Sequence, residues 1–334
     1  MPSAFAVREC HVMNPIRLVV SFALSLALAP GAQAQLVARV EMHAFASSTL
    51  TDPQFLSGEQ IGMPVMLGGE LRLPRPGTER LPAVILVHGS GGVSGGVDAW
   101  ARFLNDLGVA TFVLDAFTGR GLVSVSGDQA KLGRLNMIAD SYRALELLSR
   151  HARIDPQRIA VMGFSRGGQA ALYSSVKRFQ RMHLAPGLGF AAYIVFYPDC
   201  HTTYTDGDDV VDKPIRILHG AADDYNPPAP CRAYVTRLQK AGRDVQMSEY
   251  PDAHHVFDSP ATRVPTKSPA SQTVRRCRLE EAEGGRIINS ATKQVFTYED
   301  PCVERGPTLG YNESDAREAQ KAVREFVTAT LKPK

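Results

Sequence analysis

The sequence lacks a dominant charge of either sign. Its 334 residues include 37 lysines and arginines and 34 aspartates and glutamates, which give a formal net charge of +3 at pH 7. Partners such as nucleic acid or an anionic membrane surface call for clustered positive charge, so we expect neither here. The sequence also shows no internal repeat and no low-complexity tract. A hydrophobic content of 44% is that of a globular chain long enough for one large α/β domain.

The apolar run near the N-terminus is too short to span a bilayer. It extends from Leu18 to Ala29, follows Arg17, and is succeeded by a small-x-small pattern at residues 32–34. These features are typical of a cleaved signal peptide. We therefore predict a signal peptide over residues 1–34, a periplasmic or secreted protein without a membrane anchor, and a single domain over 35–334. Met13 lies just before the run and competes with Met1 as the start of translation.

Cysteine is scarce, and its placement predicts disulfides rather than a metal site. One of the five cysteines, Cys10, lies in the predicted signal peptide, and four remain for an oxidising compartment. We predict the pairs Cys200–Cys231 and Cys277–Cys302, because the first two follow successive strands and the second two flank a predicted hairpin. No close Cys/His pair has zinc-finger spacing, and residues 206–209 lack the ligand spacing of a calcium loop.

Short apolar runs alternate with helical patterns along the predicted mature chain. This order predicts an α/β fold with a mostly parallel, doubly wound sheet and helices on both faces. Ligands are expected in the loops that follow the carboxyl ends of the strands. The segment 259–312 breaks the alternation and is predicted to be a small disulfide-clipped insertion before the last helix. The predicted strands are Leu36–Phe45, Met63–Leu73, Ala83–Val87, Ala110–Leu114, Ile159–Met162, Ala191–Tyr197, Ile215–Leu218 and Val245–Tyr250, and the predicted helices are Val97–Leu107, Met137–Ser149, Gln169–Lys177, Cys231–Ala241 and Ser314–Leu331.

A G-x-S-x-G pattern follows the apolar run Ile159–Met162. Its serine is Ser165, and a helical pattern begins at Gln169. Strand, G-x-S-x-G and helix in this order are the context of a nucleophile elbow, in which the serine oxygen is exposed at a strained turn. The competing interpretation is a glycine-rich turn with an idle serine.

A serine nucleophile needs a base and an acid, which follow it in the order Ser, acid, His in this architecture. The turn after Ile215–Leu218 contains Asp223 and Asp224, and Asp223 is preferred because it lies three residues past Gly220. The loop after the last strand contains His254 and His255, which spacing alone does not separate.

Two backbone N–H groups are needed to stabilise the oxyanion. We expect them from Arg166, which follows the nucleophile, and from Ser90 in the loop after Ala83–Val87, with Gly91 as the neighbouring alternative. His88 is then a residue that shapes this loop. Arg120 follows another strand on the expected ligand side, so it is a possible contact for a substrate carboxylate, with a structural salt bridge as the alternative.

Four motifs together resemble the dienelactone hydrolase family of α/β-hydrolases. They are HGSGG at 88–92, GFSRGG at 163–168, HGAADD at 219–224 and YPDAHHVFD at 250–258, and the likeness covers roughly 81–257 plus the last helix.

The resemblance implies an α/β-hydrolase fold, no cofactor, and a triad of Ser165, Asp223 and His255, which selects His255 over His254. Dienelactone hydrolase itself has a cysteine nucleophile and a glutamate near it, whereas this chain has serine and no such glutamate. These differences favour a carboxylic ester hydrolase of an exported branch of the family.

The sequence therefore predicts a serine hydrolase that cleaves small-molecule carboxylic esters or lactones through an acyl-enzyme. Two alternatives stay open. One is a serine peptidase similar to prolyl oligopeptidase, although no propeller precedes the catalytic segment. The other is a catalytically silent α/β-hydrolase module that binds a ligand or partner.

Overall fold

An eight-stranded sheet forms the centre of the computed structural model, which describes residues 38–333. The predicted signal peptide lies outside these residues. The strands are β1 (Arg39–Thr49), β2 (Met63–Leu73), β3 (Leu81–Val87), β4 (Ala110–Asp115), β5 (Ile154–Phe164), β6 (Tyr193–Phe196), β7 (Thr202–Thr203), β8 (Ile215–Gly220), β9 (Val245–Tyr250), β10 (Thr266–Lys267), β11 (Gln272–Thr273), β12 (Leu279–Ala282), β13 (Arg286–Asn289), β14 (Glu304–Arg305) and β15 (Thr308–Leu309).

The central sheet has the strand order β1-β2-β4-β3-β5-β6-β8-β9. Strands β1, β2 and β4 pair antiparallel, and all pairs from β4 to β9 are parallel. Every residue of β3 is buried, because helices cover both faces of the parallel part of a sheet. The predicted mostly parallel α/β fold is confirmed.

Seven α-helices lie among residues 38–333. They are α1 (Asp52–Ser57), α2 (Gly95–Asp106), α3 (Asn136–Ser149), α4 (Arg166–Tyr173), α5 (Lys177–His183), α6 (Pro228–Lys240) and α7 (Glu313–Leu331). Among residues 38–333, no helix has the length and apolarity that a membrane crossing requires.

Alternate side chains of β3 enter two separate hydrophobic cores. Ile85 and Val87 join the core that α1 and α3 to α6 cover, whereas Val84 and Leu86 join the core beneath α2 and α7. This alternation follows from the two-residue repeat of a strand. The carboxyl ends of β3, β5, β8 and β9 therefore meet at one edge of a sheet that is fixed from both sides.

The insertion that was predicted over 259–312 contains only short strands. Strands β12 and β13 form its hairpin, and β12 also pairs with β7 of the main fold. Both predicted disulfides are present, Cys277–Cys302 within the insertion and Cys200–Cys231 between the loop after β6 and α6. Leu279 and Ile287 are buried in the larger hydrophobic core, so the insertion packs against the main fold.

Candidate active site

Ser165 lies in a sharp turn between β5 and α4. Its φ of 55° and ψ of −113° are rare for a residue with a side chain. The flanking glycines allow this turn: a Cβ on Gly163 would collide with the Gly167 carbonyl, and a Cβ on Gly167 would collide with the Val87 carbonyl. The local geometry is that of the nucleophile elbow predicted from the motif.

The structure brings Ser165, His255 and Asp223 into one chain of hydrogen bonds. His255 Nε2 lies 2.8 Å from Ser165 Oγ, and His255 Nδ1 lies 2.7 Å from Asp223 Oδ2. The other carboxylate oxygen of Asp223 accepts the backbone N–H groups of Tyr225 at 2.8 Å and Asn226 at 2.9 Å. An ionised carboxylate only accepts, so Nδ1 carries the imidazole proton and Nε2 is free to accept from the serine hydroxyl.

The neighbouring candidates have other partners. Asp224 accepts from Lys267 Nζ at 2.8 Å and from the Thr308 hydroxyl at 3.1 Å. His254 Nδ1 lies 3.0 Å from the Ala222 carbonyl oxygen. These side chains stabilise loops around the site through hydrogen bonds. Neither side chain belongs to the chain of hydrogen bonds at Ser165.

His255 is enclosed and its loop is braced. Its side chain is 2% exposed, and the rings of Tyr197 and Tyr225 lie 4.7 and 4.5 Å from the imidazole. The next residue, Val256, has a φ of 59°, a strained value for a β-branched residue. The Gly310 amide donates to the His255 carbonyl at 3.0 Å, so the C-terminal end of the insertion holds the loop in this conformation.

Two loops approach each other at the place expected for the oxyanion. Arg166 is the first residue of α4, where backbone N–H groups lack intrahelical acceptors. A Cβ on Gly89 would lie 3.4 Å from Ser165 Cβ, so the loop that contains Ser90 passes directly beside the nucleophile. His88 is fully buried and accepts the Ala116 amide at 3.2 Å through Nε2. Burial lowers the pKa of His88, and its contacts fit the predicted loop-shaping role.

Two cavities meet at Ser165. One has a volume of about 40 Å³ and is polar, with Arg134, Arg166 and Gln129 in its wall. The other has a volume of about 230 Å³ and includes Phe164 among its apolar residues. Both cavities therefore give access to Ser165.

Arg120 does not line either of these cavities, so its position favours the structural salt bridge over the possible contact with a substrate carboxylate. Its guanidinium pairs with both carboxylate oxygens of Asp140 at 2.8 and 2.9 Å and donates to the Thr49 hydroxyl at 2.9 Å. Its side chain is 3% exposed. Arg120 thus joins the loop after β4 to α3 and β1, which is the structural alternative.

Sequence reasoning missed several residues around the site. Asp258 lines the larger cavity and accepts from the Tyr197 hydroxyl at 2.6 Å and from Trp100 Nε1 at 2.7 Å. Burial raises the pKa of this carboxyl. Although burial alone would raise the pKa of Asp199, the Arg134 guanidinium holds it below the usual range. Asp258 ends the YPDAHHVFD motif, whereas no motif marks Arg134.

Within residues 38–333, one histidine and acidic cluster has ligand atoms close enough for a metal ion. Glu41 Oε2 lies 3.1 Å from His43 Nε2 and 3.2 Å from His151 Nε2. The Arg153 amide donates to His151 Nδ1 at 3.2 Å, which keeps the ring proton on Nε2, the atom that would have to bind the metal. The cluster is therefore explained by carboxylate–histidine hydrogen bonds.

The sequence matches the model of a known protein family. A model of the dienelactone hydrolase family matches residues 70–280, more than half of the chain. The chain belongs to the dienelactone hydrolase family. The resemblance inferred from the four motifs is confirmed, and the α/β-hydrolase fold comes with it.

Solved structures agree on the fold of this family member. A protein assigned as a dienelactone hydrolase from Klebsiella pneumoniae subsp. pneumoniae MGH 78578 is 16% identical, has a TM-score of 0.54, and the match covers 88% of this chain and 100% of the other. A dienelactone hydrolase-like promiscuous phosphotriesterase from metagenomic libraries is 17% identical, with a TM-score of 0.53 over 86% and 98%. Thermogutta terrifontis esterase 2, phosphoramylated by tabun, is 15% identical, with a TM-score of 0.51 over 86% and 94%. At these identities the likeness supports the fold alone.

Proposed function

We propose that this member of the family hydrolyses small-molecule carboxylic esters or lactones with Ser165 as nucleophile. The observation that carries the proposal is the chain of hydrogen bonds from Ser165 through His255 to Asp223, at 2.8 and 2.7 Å, beside two cavities. A serine hydroxyl is a weak nucleophile unless an oriented base removes its proton, and this arrangement supplies both the base and its orientation.

In the first half-reaction, Ser165 Oγ attacks the carbonyl carbon while its proton passes to His255 Nε2. The developing oxyanion accepts from the backbone N–H groups of Arg166 and Ser90. The tetrahedral intermediate then breaks its bond to the alkoxy oxygen, which takes the proton from His255 and leaves as the alcohol. For a lactone this oxygen stays in the same molecule, and the ring opens.

In the second half-reaction, water attacks the acyl-enzyme and gives its proton to His255 Nε2. Collapse of the new intermediate breaks the bond to Ser165 Oγ, which recovers the proton, and the carboxylic acid is released. Asp223 stays ionised throughout and stabilises the imidazolium that forms twice in the cycle.

Substitution of Ser165 tests the proposal. Purified protein should hydrolyse p-nitrophenyl acetate, and Ser165→Ala should lower kcat by at least about 10³-fold, because the nucleophile is lost while binding and the oxyanion donors remain. A fluorophosphonate probe should label the wild type at Ser165 and not the variant. Equal turnover by the variant would refute the proposal, and an unreactive wild type would support the silent binding module.

The peptidase alternative is separated from the esterase by substrate. Among the described residues, the central sheet begins with β1 and β2, and no propeller precedes it. We expect cleavage of short-chain esters and no cleavage of prolyl peptide amides. Faster turnover of the peptides would reverse this assignment.

We also propose that the protein is exported. The two disulfides support an oxidising compartment, as does the predicted signal peptide over 1–34. N-terminal sequencing of the protein recovered outside the cytoplasm should begin at Gln35, and recovery of an uncleaved N-terminus would contradict the predicted cleavage.

A further inference from the structure

Gln129 lies between the two loops that supply the proposed oxyanion donors. It begins a short 3-10 helix, Gln129–Lys131, in the connection from β4 to α3, and its side chain is buried in the wall of the smaller cavity. This connection belongs to neither the elbow nor the loop after β3. A buried side-chain amide needs hydrogen-bond partners, and at this position the partners come from loops that are distant from Gln129 in the sequence.

The side-chain amide of Gln129 bridges both loops. The Arg166 guanidinium donates to Gln129 Oε1 at 2.5 Å, and Gln129 Nε2 lies 3.1 Å from Ser90 Oγ and 3.3 Å from the Tyr225 hydroxyl. A guanidinium only donates, which fixes the amide oxygen toward Arg166 and leaves the amide nitrogen to donate to the Tyr225 hydroxyl. Ser90 Oγ lies near both ends of the amide, 3.1 Å from Nε2 and 3.2 Å from Oε1. The orientation of the amide is thus determined by its partners.

Gln129 is itself held in place. Its backbone amide donates to Gln272 Oε1 at 2.8 Å, and Gln272 belongs to β11 in the insertion. The Arg166 guanidinium also donates to the carbonyl oxygens of Leu132 and Gly133. In the described part of the chain, no carboxylate lies within ion-pair distance of Arg166, so backbone and amide oxygens accept from its two terminal nitrogens, while its buried Nε has no hydrogen-bond partner among these residues.

We infer that Gln129 is a positioning residue that sets the separation of the two oxyanion donors. Its amide joins the side chains of Ser90 and Arg166, the two residues whose backbone N–H groups stabilise the oxyanion in the proposed mechanism. Loss of the amide leaves Ser90 and Arg166 free to move apart by fractions of an ångström. Such a movement weakens hydrogen bonds that are strongest in the transition state, and so lowers kcat more than it raises KM.

The inference rests on the proposed function and is tested with Gln129→Met, which keeps the length of the side chain and removes the amide. We expect kcat for p-nitrophenyl acetate to fall by about 10-fold to 100-fold with KM within about twofold of wild type. The inhibition constant of an alkyl boronic acid, which forms a tetrahedral adduct with the serine, should rise by the same factor. A rise in KM at unchanged kcat would overturn the inference.

Gln180→Met is the matched control. Gln180 Nε2 donates to the Ser174 carbonyl at 2.9 Å and to the Tyr193 hydroxyl at 3.0 Å, and this residue does not line either cavity at Ser165. Its removal should leave kcat within about twofold of wild type at a similar loss of stability. Equal losses of kcat in the two variants would assign the effect of Gln129 to stability alone and overturn the inference.

Ser90→Ala alone keeps the inference testable if Gln129→Met folds poorly, and a double-mutant cycle of the two changes tests the bridge where both variants fold. Ser90→Ala removes the hydroxyl that meets Gln129 and retains the Ser90 N–H, so kcat should fall with KM unchanged. The double variant should lose little more than the more damaged single variant, because both changes break one bridge. Full additivity would contradict the bridge. If Ser165→Ala leaves turnover unchanged, the proposed function fails; if only the Gln129 variant matches wild type, this inference alone fails.

Discussion

Asp223→Asn is a severe test of the proposed mechanism, because the structure dictates which way the new amide must face. Oδ1 of Asp223 accepts two backbone N–H groups, from Tyr225 and Asn226. An asparagine would keep its carbonyl oxygen there, since its NH₂ group cannot accept. The NH₂ group would then face His255 Nδ1, which is 2.7 Å from the carboxylate oxygen it replaces.

This orientation inverts the imidazole tautomer. The NH₂ group donates to His255 Nδ1, so the ring proton moves to Nε2, the atom that must accept the proton of Ser165. We expect kcat to fall by about 10⁴-fold, close to the loss known for the same change in serine proteases, with little change in KM. Steady-state hydrolysis of p-nitrophenyl acetate measures both constants, and thermal unfolding checks that the variant folds.

Asp224→Asn is the natural control for this experiment. Asp224 is next in sequence and pairs with Lys267 in the loops around the site. We expect its kcat to stay within about twofold of wild type, because the half-buried Asp224 carboxylate contacts Lys267, Arg275 and Thr308 and does not hydrogen-bond to His255 or Ser165. A loss of kcat below tenfold for Asp223→Asn would refute the assignment of Asp223 as the acid that orients His255. A larger loss of kcat for Asp224→Asn than for Asp223→Asn would refute it as well.

Two further predictions concern groups outside the triad. Arg120→Ala should lower the free energy of unfolding by about 3–5 kcal/mol, because it leaves the buried Asp140 carboxylate without its partner. At a temperature where the variant stays folded its KM for esters should match wild type, whereas a selective rise in KM for substrates that carry a carboxylate would restore the substrate-binding role. Burial lowers the pKa of His88, His183 and His219, so these rings take up protons at a lower pH in the folded protein than in the unfolded chain, which takes them up below about pH 6.5. The free energy of unfolding should therefore fall as the pH drops below that value, by at most about 1.4 kcal/mol per pH unit for each ring. Denaturant unfolding at several pH values measures this slope, and His183→Gln should make it shallower; an unchanged slope would contradict the role of burial.

The parts of the fold that the sequence predicts are those where burial dictates residue type. β3 and β4 lie between two helical layers, so both are mostly apolar, with Thr111 as the polar residue inside β4, and the predicted bounds are nearly intact. Helix α1 was missed inside the connection 46–62. Only Phe55 and Leu56 of its six residues are buried, and the Thr51 capping box that starts it is a local signal too short to show a helical period.

Element ends differ where tertiary contacts override local signals. β5 begins at Ile154 although Asp155-Pro156 predicts a break, because Ile154 pairs with Leu81 before a register shift whose extra residues lie in β5, ahead of the pair Ala83–Ile159. The predicted elbow helix Gln169–Lys177 corresponds to α4, which spans Arg166–Tyr173, and a separate helix that was not predicted, α5, begins at Lys177. The intervening residue Val176 bridges to Val210, a partner that is distant in sequence.

The triad candidates were identifiable because each one follows a strand of the parallel sheet. Parallel strands place their carboxyl ends at one edge, so the order of the motifs along the chain carries spatial information. Arg120 obeys the same rule, and the sequence alone leaves both a substrate contact and a structural salt bridge open for it. Its loop lies at the expected edge, but the guanidinium pairs with Asp140 on α3. Because Asp140 belongs to another element, no residue next to Arg120 in the sequence indicates this ion pair.

Strain links the fold to the chemistry of the site. Ser165, Tyr197 and Val256 all have positive φ values, at 55°, 36° and 59°, and the three follow or lie next to different strands that end at the site. Such conformations cost about 1–3 kcal/mol each and persist only where the surroundings hold them. Here the surroundings are identifiable: Phe196 accepts from the Ser165 amide, Asp258 holds the Tyr197 hydroxyl, and the Gly310 amide holds the carbonyl next to Val256. Because Gly310 lies at the C-terminal end of the insertion and Gln272 within it supports Gln129, the insertion is better understood as a part of the catalytic scaffold than as a surface addition.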